Sequence, residues 1–358
     1  MQYTTTKSLV ITVRALVILT VLTCLVSCSG YAKKSENIGS EKRAVEQLGD
    51  TVQEILGEIR GITQDAQFNM WFVSNGNGVY KYDGKSIVNY RVKDGLSSDD
   101  VWMVKEGRDG KMWFKTSLRS QDLSQICSFD GSRFEHVPID TTTDQYDFKR
   151  GELIFEYYLH GNKLSQINLP FTSPIPNEEN RRHHYDIYAT CLDKYGNAWF
   201  GTATAGICKY DGEKFTWFDN KELGSATRDL FEDKNGVLWM GNNGDGLFRY
   251  DGKDFVNFSR EKNLHNPDFE KYPIGKPGLM SRVWKITEDQ QGNLWVATID
   301  NGIWRISDRA ITNFTTKDGL SIDNIWTVYI DKQGKLWVGT EGDGIFIFDG
   351  KTFAPFKV

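Results

Sequence analysis

Six tryptophans, Trp71, Trp113, Trp199, Trp239, Trp295 and Trp337, stand in closely similar surroundings along the chain. Eleven residues before them, in the same order, stand Arg60, Trp102, Tyr188, Arg228, Trp284 and Trp326. Aromatic and arginine side chains at one recurring position are suited to binding. Rings offer flat apolar faces, and guanidinium forks grip oxygen-rich or anionic groups. If the six positions converge, they make a platform for sugars or for other polyhydroxylated or anionic ligands. The competing use is packing between neighbouring repeats, which is where most aromatic area goes.

Other residues with chemical potential are fewer. His183 and His184 sit beside Arg181, Arg182 and Asp186, and adjacent histidines can ligate a metal or act as acid and base. Consecutive side chains on an extended chain point apart, however, so a solvated linker is the simpler reading. Together with His265, these are the histidine and carboxylate candidates for an enzymatic alternative. The segments 243–246 (Asn-Gly-Asp-Gly) and 341–344 (Glu-Gly-Asp-Gly) fall short of the roughly six to eight oxygens that calcium takes, and suit hairpin turns better. There is no Gly-x-Ser-x-Gly elbow, no His-Glu-x-x-His and no phosphate loop, so no catalytic residue, metal or cofactor is expected. Cys127, Cys191 and Cys208 lack metal-type spacing and are expected to be small buried apolar residues.

The elements that must position these residues repeat. The marker tryptophans are separated by 42, 86, 40, 56 and 42 residues. The interval of 86 holds a degenerate copy at residues 151–169, with Ile154 in the tryptophan slot, and the interval of 56 is one period with an insertion. A fixed period of this size means a solenoid, a propeller or an array. In the last copy Ile325–Ile330, Lys335–Thr340, Gly344–Phe348 and Thr352–Lys357 are short runs rich in β-branched and aromatic residues, bounded by turns. Asp349-Gly350 predicts a two-residue hairpin turn, and the dipeptide recurs at Asp83, Asp130, Asp211 and Asp251. Four antiparallel strands per copy predict an all-β, seven-bladed β-propeller over residues 57–358.

The recurring Asp-x-x-Gly-x-Leu-Trp-x-Gly-Thr, followed by Gly-x-x-x-(Tyr/Phe)-Asp-Gly, resembles the two-component regulator propeller repeat. The copy at residues 151–169 departs from that pattern. The resemblance implies a sensor-type propeller that binds a ligand or a protein and is not an enzyme. Seven-bladed streptogramin-type lyases share a similar repeat architecture and supply the enzymatic alternative. A structural scaffold of the cell envelope, with Phe269 and Tyr272 as contact residues, is a further alternative.

The N-terminal residues read separately. Lys7 and Arg14 precede the apolar run Ala15–Val26, which is too short to span a bilayer as a helix and reads as an export signal. Leu25-Val26-Ser27-Cys28 is similar to a bacterial lipobox, which makes Cys28 the expected acylated residue and the membrane the expected partner. Residues 1–27 are thus expected to be a signal and residues 28–56 an acylated polar tether. By analogy the location is an outer-membrane lipoprotein facing the periplasm. Removing residues 1–27 would take Lys7 and Arg14 and no acid, moving the net charge from −5 to −7. That disfavours nucleic acid as a partner. A glycan or an envelope protein is the expected ligand.

Alternating strand direction places the tight Asp-x-x-Gly and Asp-Gly turns on one face of such a wheel. The insertions at 117–125, 170–184 and 261–280 fall on the other, where loops on a rigid scaffold usually carry function. The six recurring positions are expected at that second face. The ends of the repeats predict closure by packing of the first copy against the last, with no strand exchanged.

Overall fold

The computed structural model describes residues 48–137 except 108 and 119–122, and residues 187–358 except 212, 219–222, 224, 225, 270 and 272–274. The degenerate copy at 151–169, Arg181, Arg182, His183, His184, Asp186, Tyr272 and Cys28 lie outside them. Among the described residues four blades are separate four-stranded antiparallel sheets, and the first and last blades join in one nine-stranded sheet, where Gly57 and Glu58 pair with Gly342 and Glu341.

Naming each blade by its tryptophan, the Trp71 blade is β2 (Gly57–Gln64), β3 (Met70–Asn75), β4 (Gly78–Tyr82) and β5 (Ile87–Tyr90). The Trp113 blade is β6 (Val101–Glu106), β7 (Met112–Leu118), β8 (Leu123–Phe129) and β9 (Phe134–Val137). β10 (Ile187–Leu192), β11 (Ala198–Thr202), β12 (Ile207–Tyr210) and β13 (Phe215–Phe218) make the Trp199 blade. β14 (Thr227–Glu232), β15 (Leu238–Asn242), β16 (Gly246–Tyr250) and β17 (Phe255–Asn257) make the Trp239 blade, followed by a short helix, α1 (Phe258–Glu261). The Trp295 blade is β18 (Val283–Glu288), β19 (Leu294–Thr298), β20 (Ile303–Ile306) and β21 (Ile311–Phe314). The Trp337 blade is β22 (Ile325–Ile330), β23 (Leu336–Gly342), β24 (Ile345–Phe348) and β25 (Phe353–Pro355).

First strands of successive blades lie side by side, in the order β10, β14, β18, β22, β2, β6. They are therefore the innermost strands, and the last blade meets the first. Apolar cores form between blades: Trp71, Phe114 and Phe129 share one, and Trp295, Val338 and Phe346 share another. The marker tryptophans fill these seams, as where Trp295 meets Phe348 edge-on at 5.0 Å. Edge-to-face contacts of this kind add to the area that such rings bury.

The repeat motif is explained residue by residue. In the Asp-x-x-Gly turn, Asp331 Oδ1 accepts the backbone N–H groups of Gln333 and Lys335, while its Oδ2 accepts the indole N–H of Trp337 at 2.7 Å. Asp65, Asp193, Asp233 and Asp289 do the same for the tryptophan six residues on. The Trp113 blade has Gly107 in that slot, and Asp109 reaches the Trp113 indole instead, at 3.2 Å. The glycine of Trp-x-Gly is needed for close approach: a Cβ on Gly339 would strike the Thr327 side chain and Ile59 of the adjoining blade. The threonine that follows closes the next loop, with the Thr298 and Thr340 hydroxyls donating to Gly302 and Gly344 carbonyls.

Two expectations need correction. The Asp-Gly pairs do not form two-residue turns. Phe348 pairs with Phe353, so the loop is four residues long, and Asp349 Oδ1 accepts N–H from both Lys351 and Thr352. The Asp side chain does the turn's work, and Gly350 supplies positive φ.

Closure also involves more than blade packing. β1 (Asp50–Val52) pairs with β5 at the outer edge of the Trp71 blade. The next residues reach the Trp337 blade: Glu54 bridges Lys357, and the Val358 N–H donates to the Gln53 carbonyl. Ile55 is buried between the two blades. Thus residues 50–56, assigned on sequence to the tether, form a strap across the seam, although the Trp337 blade draws its four strands from its own copy.

Candidate functional site: a ring of bulged residues

All six recurring positions come to the same place on the wheel. In every described blade the pairing of the first and second strands breaks register at one point. The breaks fall between Ile59 and Gly61, Val101 and Met103, Ile187 and Ala189, Thr227 and Asp229, Val283 and Lys285, and Ile325 and Thr327. The skipped residue is in each case Arg60, Trp102, Tyr188, Arg228, Trp284 or Trp326. A β-bulge bends its strand and re-aims the extra side chain out of the normal alternation. These residues lie where the first strand begins and the second ends; Ile325, for example, pairs with Thr340. That is the rim carrying the loops between second and third strands.

The side chains form one unbroken arc. The Trp102 ring lies 3.6 Å from the Arg60 guanidinium, which is 4.5 Å from the Trp326 ring. Trp326 meets Trp284 edge-on at 5.0 Å. Arg228 then stacks between Trp284 at 4.3 Å and Tyr188 at 4.6 Å. So the residues stack on one another around the inner strands, while the marker tryptophans take the seams between blades. Trp102 is 45% exposed, and the other five are partly buried.

Several donors in the arc are unused. Arg60 Nη1, Arg228 Nε and Trp326 Nε1 are buried without a hydrogen-bond partner. Buried polar groups are nearly always paired, so unpaired ones call for a reason. Burial pulls the Arg60 guanidinium's pKa down, with Glu58 pushing back, and burial pulls Arg228 down as well. Both stay cationic, since arginine does not deprotonate in proteins.

The insertion at 261–280 approaches this rim. The Gly275 N–H donates to the Asp300 carboxylate, which interacts with Arg282, and Arg282 lies 5.8 Å from the Trp284 ring. Phe269 is partly buried. His265 has a buried Nδ1 with no partner. Among the described residues no three His, Cys, Asp or Glu side chains gather as a metal site. Cys127 and Cys208 are buried and Cys191 partly so, all as free thiols. Burial pushes the Cys191 and Cys208 thiols up to about 12.

Comparison with known proteins follows this geometry. Residues 279–300 and 319–342 match the family model described as two component regulator propeller. Those two stretches carry the two-component regulator propeller repeat. No curated protein matches it significantly. Among solved structures it is similar to the extracellular domain of a hybrid two component system from B. thetaiotaomicron, at 18% identity and a TM-score of 0.45, covering 87% of this chain and 36% of that one. It is also similar to virginiamycin B lyase from Staphylococcus aureus, at 16% identity and 0.45, covering 86% and 88%. The WD40 beta propeller domain of Doa1 aligns at 13% identity with a TM-score of 0.51, over 85% of this chain and 97% of that one. That likeness shows the fold, an all-β propeller. The chain spans about a third of the length of that B. thetaiotaomicron extracellular domain.

Proposed function

We propose that this chain is a non-catalytic recognition module whose ligand is taken at the ring of Arg60, Trp102, Tyr188, Arg228, Trp284 and Trp326. The observation that carries the reading is the coincidence of bulge and residue. Each described blade breaks its pairing at the one position occupied by an aromatic or an arginine, and the six side chains meet. Packing alone does not require that break, and the unpaired donors are groups a ligand's oxygens satisfy. Flat rings with interleaved guanidinium groups favour glycans or a protein segment rich in polar groups.

In this reading the residues between the Trp113 and Trp199 blades supply a seventh blade and complete the ring. The chain is exported and held to the membrane through acylated Cys28, and it acts as a sensor or an envelope scaffold. The lipobox-like Leu25-Val26-Ser27-Cys28 supports that part. No helix among the described residues is long and apolar enough to cross a membrane.

The test is a binding screen of the purified chain against envelope glycans and envelope proteins, repeated with Trp102→Ala/Trp326→Ala. Ligands of the ring lose at least about tenfold in affinity, as expected when stacking faces worth ~1.4 kcal/mol or more are removed. Binding that survives the double substitution unchanged contradicts the proposal. For the anchor, mass spectrometry of membrane-bound protein shows a lipid-modified Cys28, and Cys28→Ala releases the protein. An unmodified N-terminal segment on membranes overturns that part.

A further inference from the structure

The two arginines of the arc are not equivalent. Arg60 Nη2 pairs with Glu58 Oε1 at 2.5 Å, and Asn75 holds the second Glu58 oxygen. Asp100 and Glu341 add further negative charge around it. Arg60 is thereby neutralised within the fold. Arg228 has no such partner. Among the described residues no carboxylate pairs with it. Burial lowers its pKa most; the Tyr188 hydroxyl acts to raise it, and Arg282 and Arg60 act to lower it. Among the described residues its Nε is buried without an acceptor.

Asp229 is committed elsewhere, taking Lys285 Nζ at 2.8 Å and the Ile286 N–H at 2.8 Å. Asp300 takes the Gly275 and Asn301 donors, keeps a buried Oδ2 without a partner, and has Arg282 as its nearest opposing charge. Tyr188 and Trp284 both lie within 5 Å of the Arg228 guanidinium carbon, at 4.6 and 4.3 Å, so its N–H edge is the part left for a ligand's oxygens. An edge of that kind matches a carboxylate with two parallel hydrogen bonds. A partly buried cation lacking a counter-charge is costly to the fold, and an incoming anion relieves that cost.

We propose that Arg228 is the anion-receiving end of the ring site, and that the ligand carries a carboxylate on a ring with an apolar face. The carboxylate meets the Arg228 edge, and the apolar face of the ring lies against Trp284 and Trp326. This rests on the ring being the binding surface, as argued above, and adds the ligand's charge and shape. The chemistry is shared by sugar acids and aromatic acids.

Two matched pairs of probes separate these cases: galacturonate against galactose, and benzoate against benzamide. Each is titrated into the full chain while the indole N–H signals of Trp284 and Trp326 and the Arg228 Nε–H signal are followed by NMR. The anionic member of at least one pair binds at least tenfold more tightly than its neutral partner. Arg228→Gln abolishes that preference, and Arg133→Gln, at an exposed Asp-Gly turn outside the ring, leaves it. Arg228→Lys keeps the charge, loses the fork and retains a reduced preference, which covers the case in which the Gln variant fails to fold. Equal shifts from charged and neutral members overturn the anion assignment and leave the ring reading standing. No saturable shift of the ring signals with any probe overturns the assignment, and if the screen with envelope ligands is also negative the ring reading falls with it.

Discussion

A single carboxylate explains most of the repeat motif. Asp331 and its counterparts hold a tight turn with one oxygen and the marker indole with the other. Sequence reasoning recognised the turn and missed the indole, although the constant spacing of six residues between Asp and Trp was there to be read. Asp331 is 6% exposed, so Asp331→Ala strands a buried indole N–H and two backbone donors. It is expected to destabilise the fold by about 2–3 kcal/mol in urea unfolding, and by clearly more than Asp349→Ala at an exposed loop.

Asp193 and the aspartates of the Asp-Gly loops set the acid response. For Asp193, burial alone would raise the carboxyl's pKa, but the Trp199 indole, Asn197 and the backbone donors outweigh it and the net shift is downward. Asp130 is drawn to about 2 by the Ser132 hydroxyl and the backbone N–H groups of Ser132 and Arg133. A depressed folded-state pKa stabilises above the ordinary aspartate value and stops doing so as pH falls through the folded value. Asp229 runs the other way, since burial raises its pKa and its ionised form opposes folding as pH rises. Because the depressed aspartates outnumber it, the urea midpoint is expected to fall steadily from about pH 4 to about pH 2. A midpoint flat over that range would show that these bonds add nothing to stability.

At the scale of elements, the strand runs and their turns were legible because short β-branched and aromatic runs between Gly and Asp leave little choice. The ring positions were legible too, but only as a spacing. The bulge that turns them inward was not, since one extra residue in a strand leaves no composition signal, and the period of eleven holds whether or not the register slips. The strap was missed because residues 28–56 read as a polar tether; among the described residues of that stretch, Ile55 is the one that is buried. Glycine at the blade contact is a further element-scale requirement. Gly339→Ala pushes a methyl into Thr327 and the Ile59 carbonyl, and is expected to cost roughly 1–3 kcal/mol in urea unfolding.

For the molecule as a whole, closure of the wheel depends on the strap. Ile55→Ala removes a fully buried side chain at the seam between the first and last blades and is expected to cost about 2–4 kcal/mol. Removing residues 1–56 should destabilise more than that variant, whereas removing residues 1–47 should leave the unfolding midpoint unchanged. Equal midpoints for the two truncations would mean that blade packing closes the wheel by itself.

The most direct measurement of the central claim is a crystal structure of the chain with a ligand recovered from the binding screen. The account predicts ligand density against the indoles of Trp284 and Trp326 with an anionic group at the edge of Arg228. Density at the opposite rim, among the tight Asp-x-x-Gly turns, with the six bulged side chains untouched, would contradict it.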